Sequence, residues 1–137
     1  MCGRFTLTTD AKAIQTAFNL DSIEGDIQPR YNIAPSQPIA VITNQNPQQL
    51  TYVKWGLVPS WSKDPAIGNK MINARSETAA EKPSFRSAFK RRRCLIPADG
   101  FFEWTKQDKK KVPMYIHLED NELFAFAGLW ETWHSPD

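Results

Sequence analysis

The sequence predicts an α+β fold in which strands dominate. Three observations carry this. Apolar and β-branched runs of strand length recur between turn-forming residues, only short stretches carry helical spacing, and no internal repeat or low-complexity segment breaks the pattern. At 137 residues the chain falls in the range of one domain, 1–137, and folding would bury roughly two-thirds of its unfolded surface.

Taken in order, a short extended N-terminal segment leads to Thr9-Asp10, which offers an N-cap to a helix over Ala11 to Leu20 with Ile14, Ala17 and Phe18 on one face. Residues 21–37, with Gly25, Pro29 and Pro35, read as an irregular loop. Pro38 to Thr43 and Leu50 to Val58 read as a hairpin-like strand pair across a polar Asn44–Gln48 stretch. Trp55-Gly56-Leu57-Val58-Pro59-Ser60-Trp61 makes a rigid aromatic corner, readable as a core tryptophan pair or as a base-stacking surface. Residues 62–72 read as loop, and a short helix is expected from Asn73 to about Glu81. Phe85, Ala88 and Phe89 then recur at helical spacing before Lys90-Arg91-Arg92-Arg93, a basic run that suits either a solvated face or phosphate contacts. Cys94 to Trp104 reads as strand, tight turn and strand. Lys106 to Lys111 forms a basic hairpin tip, and Val112 to Leu118 is expected to pair with Leu123 to Trp130 across the Glu119–Glu122 turn.

Composition narrows the function classes. The 17 basic and 15 acidic residues leave a formal charge of +2, so any nucleic-acid site must be local rather than a global field. Cys2 and Cys94 form no C-x-x-C pair and lie in no ligand pattern with His117 or His134, which argues against a metal site. Two isolated cysteines suit a reducing, cytoplasmic compartment better than a disulfide scaffold. The longest apolar run, Phe124 to Trp130, is far short of the ~18 residues of a membrane span, and Arg4 interrupts any signal-peptide pattern.

The chemistry-bearing stretch is Met1-Cys2-Gly3-Arg4-Phe5. Removal of Met1 would leave Cys2 with a free amine and a thiol on adjacent carbons. An α-amine with a pKa of about 7.7–8.0 is roughly one-third neutral at pH 7.5, against about 0.1% of a lysine. An aldehyde would therefore condense with the amine first, and the thiol would then close a five-membered thiazolidine on the imine carbon. Glu103, between Phe102 and Trp104, faces opposite to both on strict alternation. It is either a solvent-facing carboxylate or, if that face lines a pocket, a group suited to proton transfer. His117 alternates with Tyr115 and reads as structural.

Six stretches now stand together: Cys2-Gly3-Arg4-Phe5, Arg30-Tyr31-Asn32-Ile33-Ala34-Pro35, Trp55 through Trp61, Asn73-Ala74-Arg75-Ser76-Glu77-Thr78, Arg93 through Trp104, and Phe124 through Glu131. In order and spacing they closely resemble the SOS response-associated peptidase family of abasic site processing proteins. The resemblance implies a strand-dominated mixed sheet with a barrel-like core and a positively charged cleft for single-stranded DNA. It implies a thiazolidine crosslink between Cys2 and the aldehyde of an abasic site during the DNA damage response, with no cofactor and no metal. It also implies autoproteolytic removal of Met1 and a lyase-type activity at the lesion. Carried over by motif, Cys2 is the nucleophile, Asn73 orients the amine or the opened sugar, and Glu103 moves protons. Arg4 and Arg75 contact phosphates, and Trp61 stacks near the lesion. A bacterial member would be expected at the nucleoid.

The family pattern continues to a His-x-Arg-Met-Pro motif that lies beyond Asp137, so this chain is expected to be the N-terminal portion of the domain. Apolar strand edges left open would then favour self-association. Two other function classes share these residues: a thiol peptidase with an N-terminal nucleophile, and a non-catalytic single-stranded DNA-binding module in which Cys2 is incidental.

Overall fold

A computed structural model describes residues 2–136. The elements in chain order are β1 (Phe5–Leu7), α1 (Ala11–Ala17), β2 (Ser22–Ile23), β3 (Arg30–Ile33), β4 (Pro38–Thr43), β5 (Gln49–Lys54), α2 (Arg86–Arg91), β6 (Arg93–Ala98), β7 (Gly100–Gln107), β8 (Lys110–Ile116) and β9 (Phe124–Leu129), with 3₁₀ turns at Pro65–Lys70 and Glu119–Asn121. The strands form two sheets, β3-β1-β7-β8 and β2-β5-β4-β6-β9, rather than one closed barrel. All pairings are antiparallel except β2 with β5, so the strand-dominated mixed character is as expected. No helix among the described residues is long and apolar enough to cross a membrane.

Helix α1 starts where the sequence indicates: the Asp10 carboxylate accepts from the Ala13 N–H at 2.8 Å. It stops three residues short of Leu20. Asn19 takes a left-handed φ of 53°, its N–H bonds to the Thr16 carbonyl, and the Leu20 N–H reaches back to Gln15, which together make a Schellman stop. Leu20 is thereby turned into the core.

Four other expectations are corrected. Residues 21–37 are not all loop, because β3 pairs with β1 and β2 with β5. Only Ile33 of β3 is buried, so the segment shows little apolar patterning, and its prolines and glycine dominate the local signal. The β4–β5 hairpin forms, but β5 ends at Lys54 rather than Val58, because Gly56 turns the chain with a φ of 130°. The helix from Asn73 to Glu81 is replaced by successive turns. The Arg75 carbonyl accepts from Thr78 and Ala79, but Pro83 has no N–H to donate and disfavours a helical Lys82. Last, residues 112–118 and 123–130 do not form a hairpin. Asp108 and Lys109 both have positive φ and close a two-residue turn that pairs β8 with β7, while β9 crosses to pair with β6.

The core lies between the sheets. Ile14 of α1, Ile33, Val41 and Leu50 are almost wholly buried, and edge-to-face rings stitch the layers together: Phe5 to Phe126 at 5.8 Å and Phe101 to Phe126 at 5.7 Å. The β6–β7 link at Asp99 is the corner at which the chain leaves one sheet for the other.

A candidate active site around Cys2

Residues 2–4 are carried by β1. Phe5 stands opposite Phe101 of β7, and the pairing persists past the strand end, since the Phe102 N–H donates to the Arg4 carbonyl at 3.0 Å. This brings Cys2 beside the strand that bears Glu103. The Cys2 thiol is half-buried and donates to the Arg4 carbonyl at 3.3 Å. Burial pushes its pKa up, and the negative charge of Glu103 pushes it in the same direction. At neutral pH Cys2 is held as the thiol, which suits a second, ring-closing addition better than a first attack.

Asn73 arrives from the other side. Its amide Nδ2 donates to the Cys2 carbonyl at 2.7 Å across 71 residues of chain. The aromatic corner makes this possible. The Trp55 indole donates to the Ile72 carbonyl at 2.8 Å, the Leu57 N–H donates to Met71 at 3.0 Å, and Trp55 packs edge-on to Phe5 at 5.4 Å. A Cβ on Gly56 would meet the Gly68 carbonyl oxygen at 2.5 Å, so only glycine lets the two segments approach. Trp55 is thus a structural tryptophan. Trp61 is 59% exposed, and its indole N–H donates to the Pro83 carbonyl at 3.4 Å.

Of the two arginines, Arg75 is exposed two residues beyond Asn73. Arg4 is half-buried, and its Nε is a buried donor that makes no hydrogen bond within the described protein. Such an orphan suits an incoming acceptor. Cys2 and Asn73 line a largely apolar cavity of about 340 Å³, which Trp55, Phe126, Glu131 and Trp133 also line. Glu103, Arg4, Arg75 and Trp61 lie outside its walls. Cys94 lines it too, but burial pushes that thiol up to about 11, which leaves it inert beside Cys2. Among the described residues no group of three or more His, Cys, Asp or Glu is placed to hold a metal ion. His117 sits exposed beyond β8 with its Nδ1 2.7 Å from the Leu118 carbonyl. The expected loss of Met1 lies outside the described residues.

Sequence reasoning missed what holds the Cys2 strand in place. Asp99, only 2% exposed, accepts from the Thr6 hydroxyl at 2.6 Å, the Thr8 N–H at 2.6 Å and hydroxyl at 3.0 Å, and the Thr9 N–H at 2.9 Å and hydroxyl at 2.8 Å. The Tyr115 hydroxyl lies 2.9 Å from the Thr6 hydroxyl and ties β8 to the same cluster. Burial alone would raise the Asp99 pKa, but the donors from Thr6, Thr8 and Thr9 outweigh it and hold the carboxyl below the ordinary range. In the sequence Asp99-Gly100 is merely a turn signal, and partners some 90 residues away give no local sign.

The family model described as SOS response associated peptidase (SRAP) matches residues 1–137. The abasic site processing protein YoqW of Bacillus subtilis is 52% identical over 141 residues, covering 100% of this chain and 63% of its own length. The abasic site processing protein YedK of Escherichia coli is 34% identical, over 96% of this chain and 60% of its own. A crystal structure of a Bacteroides thetaiotaomicron protein superposes with a TM-score of 0.88 at 27% identity, over 99% of this chain and 62% of that one. The chain therefore spans somewhat less than two-thirds of the relatives it matches.

Proposed function

The chain belongs to the SOS response associated peptidase family, and we propose that it acts on single-stranded DNA by trapping the aldehyde of an abasic site as a thiazolidine at Cys2. The observation that carries this reading is convergence on one aminothiol: Asn73 bonds the Cys2 carbonyl, and the Glu103 charge is felt at the Cys2 thiol, although the three residues come from separate segments.

Once Met1 is removed, the Cys2 α-amine adds to C1′ of the ring-opened sugar. The carbinolamine loses water to give an imine. The thiol then adds across the C=N bond: sulfur bonds to carbon, and the thiol proton ends on nitrogen. The net change is one water lost. Glu103 relays protons in the ring opening, the dehydration and the ring closure. Asn73 fixes the Cys2 backbone. Arg4, with its orphaned buried Nε, and Arg75 take phosphates, and the exposed face of Trp61 stacks on a base beside the lesion. Such binding reads backbone and stacking rather than sequence.

The test is intact-mass analysis after incubation with an oligonucleotide carrying one abasic site. The expected product is a heat-stable species at the summed masses minus water, absent from Cys2→Ala. A folded protein that lacks Met1 and forms no adduct would sink the reading. In that case turnover of an external peptide would point to an N-terminal-nucleophile peptidase, and unchanged DNA affinity in Cys2→Ala to a binding module.

A further inference from the structure

The run Lys90-Arg91-Arg92-Arg93 is not one surface. Arg92 turns inward, where it pairs with Glu131 at 2.8 Å and donates to the Ser87 hydroxyl at 2.7 Å. Lys90, Arg91 and Arg93 instead join Arg86 around an open groove along α2, beside Phe89. No carboxylate lines that groove. We propose that the α2 groove is a second nucleic-acid contact, which takes the sugar-phosphate backbone of the strand whose lesion is presented at Cys2. This rests on the reading that the partner is DNA.

The helix's own electrostatics do not call for this arrangement. Cations in the last turn, Lys90 and Arg91, suit the helix dipole, but Arg86 opens the helix, where a cation is disfavoured. Arg86 and Lys90 are also like charges four residues apart on one face and repel. An ordinary solvated face would intersperse carboxylates. The groove also carries a prepared contact. Arg93 Nε donates to the Phe89 carbonyl at 2.7 Å, and its guanidinium carbon lies 5.4 Å from the centre of the Phe89 ring. The cation is thus held in place, and the exposed ring offers a surface for a sugar or base.

Two lines of chain connect the groove to the site. Phe85 lines the cavity that holds Cys2, and the next residue, Arg86, lines the groove. The segment that starts at Asn73 passes exposed Arg75 and reaches Ala80, another groove residue. A strand with its lesion at Cys2 that follows this segment arrives at a row of cations flanked by an aromatic ring. A folded acidic protein or a flat anionic membrane would use the charges without needing that path.

The test measures anisotropy of a labelled, undamaged single-stranded oligonucleotide with the full chain across a salt series. The variants are Lys90→Ala/Arg91→Ala and, as a control with equal charge loss, Lys109→Ala/Lys110→Ala on the β7–β8 tip. Loss of two phosphate contacts should flatten the slope of log affinity against log salt by about 1.4, while the tip variant keeps the parent slope. With a saturating oligonucleotide that carries one abasic site, the Cys2 adduct should form to the same extent in both. If the α2 variant binds with the parent slope while the adduct still forms, this proposal alone falls. Equal losses in the two variants would reduce it to general charge. A parent protein that binds phosphatidylserine vesicles but no DNA would overturn both this proposal and the functional reading.

Discussion

β4, in the middle of the five-stranded sheet, is buried at every position after Pro38, whereas β8, at the edge of the four-stranded sheet, is exposed everywhere except Val112. Both strands are rich in apolar residues, so composition does not separate them. Their neighbours do. β4 has a strand on each side and sheet and helix residues over its faces, while β8 has only β7, and Met114, Tyr115, Ile116 and the nearby Leu118 remain substantially open. The five-stranded sheet therefore supplies most of the core, and the four-stranded sheet carries two of the candidate site residues, with Cys2 running on from β1 and Glu103 on β7. The chain passes between them at the Asp99 corner, whose polar bonds hold the β1 segment, while the rings of Phe5, Phe101 and Phe126 pack one sheet on the other.

The sharpest way to break this comparison is a matched pair of truncations. Ile39→Ala in β4 should cost about 3 kcal/mol through lost burial and a residual cavity. Ile116→Ala in β8 should stay within about 0.5 kcal/mol of the parent. Urea denaturation of both variants decides the matter, and equal shifts in midpoint would mean that β8 is covered in solution.

A smaller effect is expected at the corner. Asp99→Asn puts an amide among five donors and should cost about 2 kcal/mol. Because the folded pKa of Asp99 is depressed, its stabilisation is present above the unfolded value and lost as pH falls through the folded one. The parent protein should lose stability as the pH drops below about 4, and the variant's profile should be flatter there. Profiles that run parallel would remove Asp99 from the account.

The smallest effect concerns reactivity alone. Iodoacetamide labelling of Cys2 should rise with pH later than for an ordinary thiol, because burial and the Glu103 charge both disfavour the thiolate. Glu103→Gln should move that rise to lower pH with little change in stability, while Cys94, pushed up to about 11, stays unlabelled near pH 8. An unchanged Cys2 profile in Glu103→Gln, read by peptide mass mapping, would separate the two residues.

The aminothiol chemistry of Cys2 was legible from its position after Met1, whereas Arg4, Asn73, Arg75 and Glu103 were candidates through the family resemblance. The structure brings Asn73 and Cys2 into contact. Two roles were not legible. The alternatives for Trp55 and Trp61 looked alike in sequence, and only packing on Phe5 and the Ile72 carbonyl made one of them structural. The basic run looked uniform until Glu131, 39 residues on, drew Arg92 out of it.

By itself the sequence determined the helix start at Asp10, the β4–β5 hairpin, a basic hairpin tip within Lys106 to Lys111 and the chemistry available to Cys2. Each of these depends on side chains within a few residues, where capping, turn conformation and functional groups act directly. Only the tertiary structure decided that β8 pairs with β7 and not also with β9, that β3 is a strand, that the strands make two sheets rather than a barrel, and that Asp99 anchors the Cys2 strand. Those outcomes rest on burial and hydrogen bonding between segments far apart in the chain, where many pairings satisfy the same local pattern and the packing of the whole selects one.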